Sequence, residues 1–208
     1  TGRNIYAKIK KAIIYLLSGN PSGIICVLAA SLLSLQVPFL PVHLLFINLV
    51  TDSLPAIAIG MERSTKDILK EKPRNPSVGI LTPATMKQLG IQGILIAVVT
   101  MSAYFLGLKE SWAIATTMAF STLCLSRLFH GFNCRSQRSL YRIGLFTNKY
   151  SILAFVIGFC FLNAILLWQP LHSLFSVTTI TMTQLFTIYG LALIPTALIQ
   201  LGRMLRHR

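Results

Sequence analysis

Apolar stretches near twenty residues long recur along the whole of this chain, and that recurrence narrows its possible folds more than any other feature. Such a stretch is long for a helix in a soluble core and right for one that crosses a bilayer, whose hydrocarbon centre takes about 20 helical residues. Of the 208 residues 54% are hydrophobic and only 12% charged, which argues against a soluble domain. The expectation is an all-α membrane protein, a single transmembrane domain over 1–208. Its six transmembrane helices are read at about 13–35, 41–61, 86–108, 113–133, 151–168 and 183–202, with a solvated stalk from Ile5 leading into the first. Proline and glycine at Pro73, Pro76, Gly79 and Pro83 mark 62–85 as a loop, and 134–150 is a second one. A Lys109-Glu110-Ser111-Trp112 turn makes a hairpin of the third and fourth spans.

The formal net charge of +14 raises nucleic acid as a partner, but the basic residues lie between apolar runs and form no patch interleaved with aromatics. Topology accounts for them instead. All but two of the 19 Lys and Arg fall in the amino segment, in or beside the 62–85 and 134–150 loops, or in the tail. By the positive-inside rule those segments are cytoplasmic, so both termini are cytoplasmic and the number of spans is even. The exceptions are Lys109, on the opposite side, and Arg127, inside a span. The lipid bilayer is a partner, and nucleic acid is not. Cys26, Cys124, Cys134 and Cys160 have neither CxxC spacing nor a place in an external loop, so they indicate no disulfide framework and no zinc site. The chain opens Thr-Gly-Arg-Asn, without a methionine and a charged leader, and is expected to begin mid-protein.

Charged groups at membrane depth are costly unless paired or wetted, so the two that stand there are functional candidates. Asp52 lies mid-way along the second span, and on an α-helix Asn48 would stack over it with Thr51 beside them. Pro55 has no N–H to give and frees a carbonyl one turn earlier, as in ion sites built on broken helices. These oxygens suit Ca²⁺, Mg²⁺ or Mn²⁺. The first span adds Ser18-Gly19-Asn20-Pro21-Ser22-Gly23. Asn20 is read there as a ligand, whereas Gly19, Ser22 and Gly23 are read as permitting close helix packing. Arg127 has two readings: an ion pair with Asp52, or snorkelling toward an interface about 9 Å away at helical rise. His130 is read as an interfacial packing residue and not a metal ligand.

The run Leu44-Leu45-Phe46-Ile47-Asn48-Leu49-Val50-Thr51-Asp52-Ser53-Leu54-Pro55-Ala56 strongly resembles the sixth transmembrane helix of the P2-type cation ATPases, the group of calcium pumps. Gly2 to Asn20 resembles the stalk and start of their fifth helix, Asp67-Ile68-Leu69 with Lys72-Pro73-Arg74 the following loop, and Leu128 to Ser136 the end of the eighth helix in bacterial members. The resemblance implies that the six spans correspond to helices five to ten of a P-type ATPase in a bacterial plasma membrane. It further implies that Asn20, Asn48, Thr51 and Asp52 bind the transported metal ion together with a glutamate and carbonyls from a fourth helix. Two-calcium pumps carry a glutamate where Gly23 stands and an acidic or amide residue where Arg127 is placed. Those departures imply one Ca²⁺ or Mn²⁺ per cycle, with Arg127 as a built-in cation in the vacated site.

The phosphorylated Asp-Lys-Thr-Gly motif does not occur here, so catalytic residues and cofactors are expected to be none in this chain. ATP and Mg²⁺ are expected to act in a missing N-terminal half. The sequence leaves two other classes open: a self-standing secondary cation transporter using Asp52 as its carrier, and a non-transporting membrane remnant.

Overall fold

The computed structural model describes residues 2–63, 75 and 78–206. Most of the loop read at 62–85, including Asp67–Leu69 and Lys72–Arg74, therefore lies outside the described residues. Among them, six helices are long and apolar enough to cross a membrane. They are α1 (Gly2–Leu32), α2 (Pro41–Gly60), α3 (Pro83–Leu108), α4 (Trp112–Asn133), α5 (Lys149–Leu167) and α6 (Met182–Arg206). The stalk and first span form one continuous rod, and Pro21 sits inside it without ending it.

Helix α4 is the axis of the bundle. It is buried almost throughout, because its run of small residues, Ala115, Thr116, Thr117, Ala119, Ser121 and Thr122, lets neighbouring backbones approach closely. Three of its hydroxyls are settled within the helix itself: Thr116 and Thr117 donate to Ala113 O and Ser121 to Thr117 O. Helices α1, α3, α5 and α6 all pack on it. The outward faces are apolar, with Leu28, Leu49, Ile94, Val98, Leu153 and Phe186 exposed. In water those side chains would be a liability, whereas hydrocarbon solvates them at no cost.

Helix ends are closed by short polar side chains. Thr82 accepts from Thr85 N before Pro83, Ser111 accepts from Ile114 N, and Asn148 accepts from Tyr150 N and Ser151 N. At the end remote from the termini, Tyr104 Oη donates to Gln36 O at 2.6 Å and Trp112 Nε1 to Val37 O at 3.2 Å. These bonds pin the α1–α2 turn against the α3–α4 hairpin.

At the opposite end, three segments converge on Arg135, whose side chain is fully enclosed. Its guanidinium donates to both Glu62 oxygens at 2.9 and 3.0 Å, to Thr147 Oγ1 at 2.7 Å and to Leu145 O at 2.9 Å. Asn148 Nδ2 completes the cluster, donating to Glu62 Oε2 at 2.6 Å and Ala58 O at 3.0 Å. Burial by itself would raise the Glu62 carboxyl, but the bonds from Arg135 and Asn148 and the Arg135 and Lys11 charges outweigh it and hold the group below its ordinary range. The foot of α2 is thereby tied to the end of α4 and the start of α5.

Candidate ion site at the break in α2

Helix α2 changes character where its sequence turns polar. Pro41–Phe46 is α-helical, Ile47–Asp52 is a π-helix, and Ser53–Gly60 is α-helical again. A π-turn closes i→i+5 bonds and carries more residues per turn, so it rotates the side chains beyond it relative to a regular helix. That rotation separates two residues expected to share a face. Asp52 and Thr51 are buried, but Asn48 is exposed. Asn20 on α1 is exposed as well. The four residues read as a ligand set thus divide into an inward pair, Thr51 and Asp52, and an outward pair, Asn20 and Asn48.

The proline explains the break. Pro55 cannot serve the carbonyl four residues before it, that of Thr51. Tyr15 of α1 takes that acceptor, its buried hydroxyl donating to Thr51 O at 2.5 Å and lying 3.3 Å from Arg127 O. A freed carbonyl that could have faced an ion is therefore held by a neighbouring helix. Close approach at this level depends on Gly131 of α4, where an added Cβ would stand 3.0 Å from Pro55 Cβ.

Arg127 faces Asp52, its Nη2 forming an ion pair with Oδ1. Both side chains are almost wholly enclosed, with 4% and 9% exposed. Of the two readings of Arg127, the structure takes the ion pair: the guanidinium points into the bundle and does not reach for an interface. Gly19 makes room for it, since a Cβ there would overlap the Arg127 guanidinium. Gly19 thus acts in packing, as read, and what it packs is the charged group itself. Gly23 has no atom within 4 Å of a Cβ built on it, so close packing does not explain that glycine. Ser22 is buried and bonds to Gly19 O within its own helix. Thr51 Oγ1 and Ser126 Oγ are buried without hydrogen-bond partners.

Sequence reasoning missed the polar chain beneath the site. His130 is buried, not interfacial. Asn133 Nδ2 lies 3.1 Å from His130 Nδ1, and His130 Nε2 lies 2.9 Å from Ser18 Oγ, which donates to Tyr15 O at 2.8 Å. A proton on Nε2 satisfies every member of that chain. Asn133 also donates to Thr196 Oγ1 at 3.1 Å and accepts from Gln200 Nε2 at 2.6 Å, which carries the chain into α6. The sequence signal was partial: counting four back from Pro55 identifies Thr51 O as needing a donor, but nothing in the spacing points to Tyr15.

Among the described residues, no three His, Cys, Asp or Glu side chains come together as a metal cluster. One carboxylate, already paired, stands at the break. The comparison with known proteins decides what such a bundle is: a description of the cation-transporting ATPase C-terminus matches residues 36–205. The chain belongs to that family. As a cation-ATPase C-terminal domain, it is similar to a calcium-transporting ATPase of Bacillus subtilis, 38% identical over 201 residues, covering 95% of this chain and 23% of the relative. A calcium-transporting ATPase of Listeria monocytogenes is 42% identical over 159 residues, covering 76% of this chain and 18% of that protein. The human calcium-transporting ATPase type 2C member 1 is 26% identical over 196 residues, covering 91% and 21%. The cation-ATPase C-terminal domain seen here therefore spans about a quarter or less of the length of these relatives. Its all-α bundle of apolar helices is that of an integral membrane protein of the P2-type calcium-pump class.

Proposed function

We propose that the chain is the C-terminal membrane part of an ATP-driven cation pump and supplies part of a single Ca²⁺ or Mn²⁺ transport site. The observation that carries this reading is the enclosed Asp52–Arg127 pair at the π-helical break of α2. An unpaired carboxylate at that depth would be costly, and a cation could occupy it. Here a fixed guanidinium already does, and its charge opposes a second divalent ion beside the first. The naming of relatives as calcium-transporting ATPases supports Ca²⁺ as cargo, and the all-oxygen donors fit Mn²⁺ equally well.

Asp52 and Thr51 supply the inward donors. Asn20 and Asn48 lie on open faces of α1 and α2 and complete the site against a helix outside these 208 residues, which contributes a glutamate and carbonyls. Phosphoryl transfer from ATP, with its Mg²⁺, belongs to sequence outside this chain. The positive-inside rule, applied to the basic loops and tail, supports cytoplasmic termini, and the bacterial relatives favour a plasma membrane.

The test is ⁴⁵Ca²⁺ and Mn²⁺ uptake into vesicles by the complete pump, wild type against Asp52→Asn. Uptake falls at least tenfold if Asp52 is the central ligand, and unaltered uptake would remove the centre of this proposal. Arg127→Ala in the same pump changes ion stoichiometry, affinity or pH dependence; a variant unchanged in all three shows that Arg127 is no built-in cation.

A further inference from the structure

A groove of about 760 Å³ opens between α3 and α6, near the side that carries the chain termini. Its volume lies within the roughly 300–1,000 Å³ span of ligand sites. Lys87, in the first turns of α3, and Arg203 and Arg206, at the end of α6, line its mouth, and among the described residues no Asp or Glu lines it. Two turns further into the membrane the lining becomes Ile91, Leu95, Leu198 and Ile199. The groove therefore grades from cationic to hydrocarbon over about 12 Å, the helical rise from Lys87 to Leu95.

Its polar groups are not all occupied from within. Arg203 is engaged, its Nη1 donating to Asn133 O and Ser136 O at 2.7 Å each, which anchors α6 to the end of α4. Lys87 and Arg206 are exposed and have no hydrogen-bond or ion-pair partner among the described residues. Gln92 is buried against the groove, and its Oε1 has no donor. Gly202 leaves the α6 wall bare, with no atom within 4 Å of a Cβ built on it.

A cation pathway is a poor fit to a mouth lined by Lys87, Arg203 and Arg206. An amphiphile with an anionic head and an apolar tail matches the gradient at both ends, and the membrane supplies such molecules at this depth. We propose that the α3–α6 groove is a specific site for one anionic glycerophospholipid from the leaflet on the side of the termini. Its phosphate lies between Lys87 and Arg206, and an acyl chain runs along Ile91, Leu95 and Leu198. The proposal does not depend on which ion the pump carries.

Native mass spectrometry of the full chain in detergent, titrated with phosphatidylglycerol or phosphatidylcholine, tests it. The wild type retains one phosphatidylglycerol at concentrations where phosphatidylcholine dissociates. Lys87→Gln with Arg206→Gln weakens that binding roughly thirtyfold, the equivalent of ~1 kcal/mol for each juxtamembrane charge. Arg138→Gln with Lys149→Gln removes equal charge from the same side outside the groove and leaves the affinity within about twofold. Gly202→Leu keeps the charge, fills the groove and abolishes the bound lipid; because it points into open space it also decides the matter should the double variant fail to fold. Equal retention of the two lipids, an equal loss in the control pair, or lipid still bound to Gly202→Leu would overturn the proposal. So would a lipid-free dimer that Gly202→Leu dissociates, which would make the groove an interface between two copies.

Discussion

Replacing Arg135 by methionine keeps much of the length of the side chain and removes everything that it donates. The wild-type guanidinium makes two bonds to Glu62, one to Thr147 Oγ1 and one to Leu145 O, all at 3.0 Å or less. Without it a carboxylate and a carbonyl lose their strongest donors in a space that water barely enters. Breaking a buried pair from one side costs about 3–5 kcal/mol, and the 15% exposure of the Glu62 side chain puts this case near the lower figure. At roughly 2–4 °C per kcal/mol for a domain of this size, about 3 kcal/mol corresponds to a fall in Tm of ~6–12 °C. Fluorescence-detected size-exclusion after a heating series measures it in detergent. Glu62→Met combined with Arg135→Met should recover most of the loss, because the stranded charge is then gone. A single variant within about 2 °C of wild type, or a double variant no better than the single, would refute the account of Arg135 as the tie between α2, α4 and α5.

The same cluster gives a pH signature. A carboxyl held below its ordinary range contributes stability that is full above the free-glutamate value and lost as pH falls through the folded value, so the wild type should lose stability below about pH 4.3; Glu62→Gln should lower Tm near neutrality and flatten that limb, and an unchanged limb would exclude Glu62 as its source. Gly19→Ala should dislodge Arg127 from Asp52 without removing either charge. In the complete pump it should therefore move the half-saturating Ca²⁺ concentration in the same direction as Arg127→Ala, by roughly tenfold, or ~1.4 kcal/mol; opposite responses would show that the pair is not what sets affinity. Tyr15→Phe leaves the Thr51 carbonyl buried and without its donor, which costs about 1–3 kcal/mol. A Tm equal to wild type would mean that the carbonyl has another partner.

The helical class and number of spans were legible because apolar length is a one-dimensional property and the bilayer reads it directly. The two charged residues of the site were legible for the same reason, since Asp52 and Arg127 stand out against hydrocarbon. Their pairing was not, because sequence says how deep Arg127 lies but not which way its long side chain turns. The Asn48–Asp52 face failed for a definable cause: the stacking rule assumes 3.6 residues per turn, and Ile47–Asp52 does not keep it. His130 was misjudged because its partners come from three helices, Ser18 on α1, Asn133 on α4 and, through Asn133, Thr196 on α6. Contacts so distant in sequence leave no local pattern.

The Asp52–Arg127 pair also bears on how the chain is made. Helix α2 leaves the ribosome two spans before α4, so Asp52 must enter the bilayer before its counter-charge exists. A lone carboxylate at the centre of a span opposes insertion by about 2.5–3.5 kcal/mol, which the Leu, Ile, Phe and Val of α2 can offset together. Helix α4 is the least apolar of the six and carries Arg127, so it is the span least able to insert unaided. A carboxylate already waiting at the right depth would draw it in, and the order of synthesis, acid before base, becomes part of the assembly pathway.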